Sequence, residues 1–150
     1  MTHTEAEPRS VSRSRAEDMF GRDLTSQMLG IRLEDVSPGQ ASLHMRVTDS
    51  MVNGHGIAHG GYLFLLADAA FAYASNTHGP VAVAQSAHIT FLRPAVVGDV
   101  LLAQAVERTR QGRSGVYDVT VRSEDGTVIA EFRGHSVLLA GSRGLLRLPE

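Results

Sequence analysis

Between Gly56 and Pro80 the chain holds one residue charged at neutral pH, Asp68, if His59 and His78 are counted neutral. Inside that span, Tyr62 to Ala74 is an apolar run of 13 residues broken only by this acid. Ala67, Ala69, Ala70, Ala72 and Ala74 give the segment small side chains almost all round. A helix that is apolar on every side is buried on every side. It is too short to cross a membrane, which takes about 20 apolar residues. The remainder of the chain must therefore wrap a helix running from about Gly60 to Thr77.

The flanking sequence supplies the wrapping. Ala41, Leu43, Met45 and Val47 alternate with Ser42, His44 and Arg46, the period of a half-buried strand. Ile31 to Val36 alternates in the same way and is joined to it by the turn Ser37-Pro38-Gly39. After the helix, strand patterns run over Val81 to Arg93, Val100 to Thr109, Gly115 to Arg122 and Thr127 to Leu139. Arg110 to Arg113 and Asp125-Gly126 read as hairpin turns. Connections this short favour antiparallel neighbours. The expected architecture is α+β, one antiparallel sheet of about six strands curled around one long buried helix.

Ahead of the sheet, Ser14 and Glu17 have capping-box spacing, and Ala16, Met19, Phe20, Leu24 and Met28 recur at helical intervals up to Gly30. This predicts one short N-terminal helix. Residues 1–15 are polar, carry Pro8 and read as a mobile tail; they have no apolar core of the kind a secretory signal needs. One domain is expected over 16–140, with a C-terminal tail over 141–150.

At 150 residues, with 43% hydrophobic residues, the chain can bury a core without disulfides or metal. A net charge of −2 gives no electrostatic basis for binding nucleic acid. The absence of cysteine excludes disulfides, thiolate metal sites and a cysteine nucleophile, and suits a cytoplasmic protein.

Two features carry chemistry. Gly60 and Gly61 stand where the buried helix begins, so their N–H groups lack helical acceptors and can hold a negative oxygen. Glycine pairs also mark simple turns into helices. Asp68 is a lone acid on an apolar helix, which costs several kcal/mol unless paired or solvated in a pocket. A structural hydrogen-bonded carboxylate fits that position as well. His55 and His59 lie four apart, but the glycines make this a loop without a third ligand, so no metal is expected. Gly60 and Asp68 are about 12 Å apart along the helix. One carbonyl cannot reach both within a chain. Two antiparallel copies would bring one copy's Asp68 to the other's Gly60, as an isologous dimer does.

The ordered set Asn53, Gly56, His59-Gly60-Gly61 and Ala67-Asp68 resembles the signature of PaaI-type acyl-CoA thioesterases of the hotdog superfamily. Phe91-Leu92-Arg93-Pro94, Gly98-Asp99, Gly115-Val116-Tyr117-Asp118 and Phe132-Arg133-Gly134 extend the similarity over about Asp49 to Ser136. The resemblance implies a hotdog fold and hydrolysis of an acyl-CoA, of aryl or hydroxyphenylacetyl type. Asp68 aligns with the catalytic nucleophile or general base, and Gly60 with the N–H donor to the thioester carbonyl. His59 and Asn53 align with polar residues around that carbonyl.

Ser86, with Gln85 as its competitor in register, aligns with a water-orienting hydroxyl on the strand after the helix. Arg93, Arg110 and Arg113 are candidates for the phosphates of coenzyme A, which is part of the substrate; no separate cofactor is implied. The implied assembly is a homodimer at minimum, and a homotetramer as a dimer of dimers. A hotdog hydratase-dehydratase using His59 with Asp68, or a non-catalytic acyl-CoA-binding module, are the alternatives.

Overall fold

The computed structural model describes residues 3–140. Six strands form a single antiparallel sheet: β1 (Arg32–Ser37), β2 (Gln40–Arg46), β3 (Ala82–Phe91), β4 (Val100–Gln111), β5 (Ser114–Ser123) and β6 (Val128–Leu138). Their order is β1-β2-β4-β5-β6-β3, so β1 and β3 are the two edges. The helix α3 (Gly60–Ser75) packs on the inner face of this sheet. Alternation places Leu43, Met45, Leu101, Ala103, Val119, Val121 and Phe132 against it, while His44, Gln104, Thr120, Glu131 and Arg133 point outward.

The sheet covers only one side of α3. Leu63, Leu66, Ala67, Ala70, Phe71 and Ala74 are buried, but Leu65, Asp68, Ala69 and Ala72 are half-buried. Their spacing of three and four residues makes them one stripe. The expectation of burial all round therefore fails within a single chain, because one curved sheet meets one face of a helix.

The N-terminal helix differs from the sequence expectation at both ends. α1 spans His3–Arg22, so Ser14 is mid-helix and the segment read as a tail over 1–15 is helical from His3. Tertiary contacts hold it. Buried Ser12 donates to the Thr77 carbonyl (3.2 Å), and Arg15 reaches the same oxygen at 2.8 Å. Arg13 donates to the Glu34 carbonyl on edge strand β1 (2.8 Å).

The predicted continuation through Leu24 and Met28 is broken at Asp23. This residue accepts from Ser26 N (3.1 Å) and caps a separate short α2 (Leu24–Met28). Tyr73 of α3 donates to the same carboxylate at 3.0 Å. Leu24 and Met28 consequently point outward, 72% and 80% exposed. In β1 the pairing shifts between Leu33 and Asp35, and this bulge turns Val36 inward instead of Asp35. The tail expected at 141–150 lies outside the described residues.

Candidate active site

The loop before α3 is organised by Asn53. Its Oδ1 accepts from His55 N (2.9 Å) and Ile57 N (3.1 Å), and its carbonyl accepts from Gly56 N (3.0 Å). Gly56 sits at φ +76°, a conformation that favours glycine. Ala58 N then bonds the Ala95 carbonyl and His59 N the Met51 carbonyl, each at 2.8 Å. These bonds fix the direction in which α3 starts. Asn53 thus spends its side-chain oxygen on the loop itself.

His59 is the N-cap, with an exposed side chain that makes no capping bond. Tyr62 N–H turns back to the His59 carbonyl (3.0 Å), whereas the Gly60 and Gly61 N–H groups precede the first helical acceptors. Gly60 has no unusual φ; the reason for glycine here is steric. A Cβ placed on it would stand 2.7 Å from Phe91 Cζ, because the tip of that ring lies over the Gly60 backbone.

Two turns further along α3, Asp68 is half-buried on the open stripe. No side-chain hydrogen bond or ion pair among the described residues involves it. Burial pushes its carboxyl above the usual carboxylate range, since no cation or donor offsets the lost solvation. An unpaired carboxylate beside apolar surface is a base with little else to bind. About 12 Å of helix separates it from the Gly60 N–H, and about 13 Å from His59. Within one chain, neither pair can act on one carbonyl, and His59 with Asp68 forms no acid–base couple.

The other candidates scatter. Ser86 pairs with outward-facing His135, while Ala87 pairs with Gly134, against which the Phe71 ring of α3 packs. Ser86 therefore lies on the sheet face away from α3, and the irregularity between Ala84 and Ser86 leaves Gln85 outside the pairing. Arg110 and Arg113 line a small cavity with Ser75, His78 and Ser136 at the C-terminal end of α3, opposite to Gly60. There Arg110 Nε meets Glu107 (3.1 Å), whose carboxylate also takes His78 (2.9 Å) and Tyr117 OH (2.8 Å). Arg113 is fixed on the Leu138 carbonyl by two bonds, 3.1 and 2.6 Å. Arg93, just beyond β3, is exposed at the other end. Sequence reasoning gave Phe91 no role, although the Phe-Leu-Arg-Pro motif had singled out its position.

Comparison with known proteins settles the kinship. The thioesterase superfamily matches residues 55–130, the stretch that holds Gly60, Asp68 and β3 to β5. The chain belongs to this superfamily. It is similar to the acyl-coenzyme A thioesterase PaaI of Escherichia coli, 42% identical over 85% of this chain and 91% of the relative. The structure of E. coli PaaI, from the phenylacetic acid degradation operon, superposes with a TM-score of 0.87 at 41% identity, covering 89% of this chain and 96% of that one. A mutant of the phenylacetic acid degradation protein PaaI from Thermus thermophilus gives 0.75 at 41% identity, covering 78% and 100%. A Streptococcus mutans protein bound to acetyl CoA gives 0.71 at 26% identity, covering 73% and 89%. The fold is the hotdog fold of the PaaI-type thioesterases, and the chain is a thioesterase.

Proposed function

We propose that this thioesterase hydrolyses an acyl-CoA of aryl or hydroxyphenylacetyl type, at a site completed by a second copy of the chain. The observation that carries the reading is Asp68, an unpaired half-buried acid on the uncovered stripe of α3, two turns from the Gly60 and Gly61 N–H groups that precede the first helical acceptors. Two α3 helices lying antiparallel along these stripes place one copy's Asp68 opposite the other's Gly60. The Gly60 N–H polarises the thioester carbonyl, and Asp68 either attacks it or takes a proton from the attacking water. The C–S bond breaks and the thiolate of coenzyme A leaves, a stable anion that asks for no acid to expel it; where Asp68 is the nucleophile, water then hydrolyses the mixed anhydride to the free acid and restores the carboxylate. No metal or resident cofactor is required by these steps.

The E. coli relative's operon supports the acyl class, and the Streptococcus complex supports coenzyme A as the carrier. In an antiparallel pair the C-terminal end of one α3 lies toward the other's Gly60. Arg110 and Arg113 of one copy then share a side with Arg93 of the other, as sites for the phosphates. His59 and Asn53 act by shaping the helix start. The working unit is a cytoplasmic dimer, with pairing of dimers into a tetramer.

A thiol-release screen over aryl, phenylacetyl, short-chain and medium-chain acyl-CoAs tests the reading. Aryl substrates are expected to be cleaved fastest, and failure on every substrate overturns it. For the shared site, inactive Asp68→Ala and Gly60→Pro chains are mixed. Mixed pairs regain one intact site, and no recovery under verified exchange counts against sharing.

A further inference from the structure

Among the described residues, Gly60, Gly115 and Gly134 each have an aromatic ring in the space that a side chain would take. A Cβ on Gly134 would stand 2.8 Å from the Phe71 ring, and one on Gly115 would stand 2.6 Å from Ser136 Oγ and 2.9 Å from the Tyr117 ring. Both rings are only 1% exposed, so these are closures of the core. The third pair is Gly60 with Phe91, at 2.7 Å, and there the phenylalanine remains 51% exposed. The same device is used, but here the aromatic residue is half open to solvent. It stands at the start of α3, beside the N–H groups that have no acceptor.

We propose that Phe91 determines acyl selectivity, its ring filling the side-chain space at Gly60 and offering its open surface to the acyl group whose carbonyl meets the Gly60 N–H. This rests on the thioester reading and deepens it. An oxygen bound at that N–H sits about 2.9 Å from the nitrogen, which brings the group attached to its carbon into contact range of the ring. Flat aromatic acyl groups gain an offset or edge-to-face partner there, while a two-carbon acyl group presents too little surface to use it. The adjoining segment of the same chain extends the apolar rim. Ile57 bridges to Val96, and Ala58 N bonds the Ala95 carbonyl, which sets exposed Val96 and Val97 beside the same loop. Gly60 is glycine so that Phe91 can occupy this place, not to free the backbone.

The test compares steady-state thiol release from phenylacetyl-CoA and acetyl-CoA in Phe91→Ala and Phe91→Leu chains. Loss of an aromatic partner of this kind predicts about a tenfold fall in the phenylacetyl to acetyl ratio of kcat/KM for Phe91→Ala, carried mainly by KM, with Phe91→Leu between it and the parent. A second arm reads the steric link. Gly60→Ala alone displaces the ring and lowers the phenylacetyl to acetyl ratio as Phe91→Ala does, whereas adding Gly60→Ala to Phe91→Ala leaves that ratio where Phe91→Ala puts it, because the space is already empty. Equal losses on both substrates overturn the proposal. So does a double variant damaged by the full product of the two single losses. If the parent chain releases thiol from no substrate, the thioester reading itself fails, and this proposal falls with it.

Discussion

Leu66, Ala70 and Phe71 lie fully against the inner sheet on one side of α3, whereas Leu65, Asp68 and Ala72 on the other side are half-covered. The two faces have nearly the same composition and differ in what meets them. The covered face is packed at the density of an interior, where each missing methylene leaves a cavity. The open face carries the helix's single acid and leaves it without a partner. The sheet edges repeat the contrast. α1 lies along β1 and gives Arg13 to its Glu34 carbonyl, while β3 has five successive exposed residues, Ala84 to His88. Bare edges and bare apolar stripes are places where a second chain can add. One side of the molecule maintains the fold, and the other is the side to which the proposal assigns chemistry and assembly.

Substitutions on the two faces separate these roles. The largest effect is expected from Asp68→Asn, which should lower thiol release by about three orders of magnitude, as loss of a positioned base or nucleophile does, with an unchanged far-UV spectrum. Retained turnover would remove Asp68 from the chemistry. On the covered face, Leu66→Ala should cost about 2–5 kcal/mol of stability, measured by urea unfolding. A cost near zero would mean that this face is no tighter than the open one.

Ala72→Arg on the open stripe should leave monomer stability within about 1 kcal/mol while abolishing both dimer formation in light scattering and thiol release. A fully active dimer would show that the stripe is not the contact. Asn53→Ala frees two loop N–H groups and should cost about 1–2 kcal/mol, seen in unfolding and in a raised KM.

The smallest effect concerns Asp68 and pH. Its folded value is raised, so stability from the neutral form is fully present below the ordinary carboxylate value and lost as pH rises through the raised one. Asp68→Asn should therefore be more stable than the parent near neutral pH, by less than about 1 kcal/mol because solvent screens a half-exposed group. The two should converge in acid. Melting curves that stay apart at every pH would break the assignment. The acid limb of turnover should follow the same raised group.

Much of the sheet was legible because period two is a local property. β2, β4, β5 and β6 fall within a few residues of the segments read from alternation, and the turn at Asp125-Gly126 is where expected. The N-terminal helix was misread because its limits are set by partners far along the chain. Thr77 holds Ser12 and Arg15, and Tyr73 pins the Asp23 that ends α1. The face of Ser86 was also beyond local reading, since one irregularity beside Gln85 reverses the side on which a strand residue points. In the site, Asp68 and Gly60 stood out by contrast with their neighbours. Phe91 did not, because an aromatic at a strand end carries no mark of what it covers.

The sequence by itself determined that one apolar helix packs against an antiparallel sheet of about six strands, that it carries a single acid, and that this acid is too far from the helix start to act with it in one chain. These follow from period, charge and helical rise, all of which are local. Only the tertiary structure decided which side of α3 remains open, which arginines are already committed to Glu107 and Leu138, and that the space at Gly60 belongs to Phe91. Each of these depends on atoms brought together from distant parts of the chain, and contact between distant atoms leaves no periodic trace in a sequence.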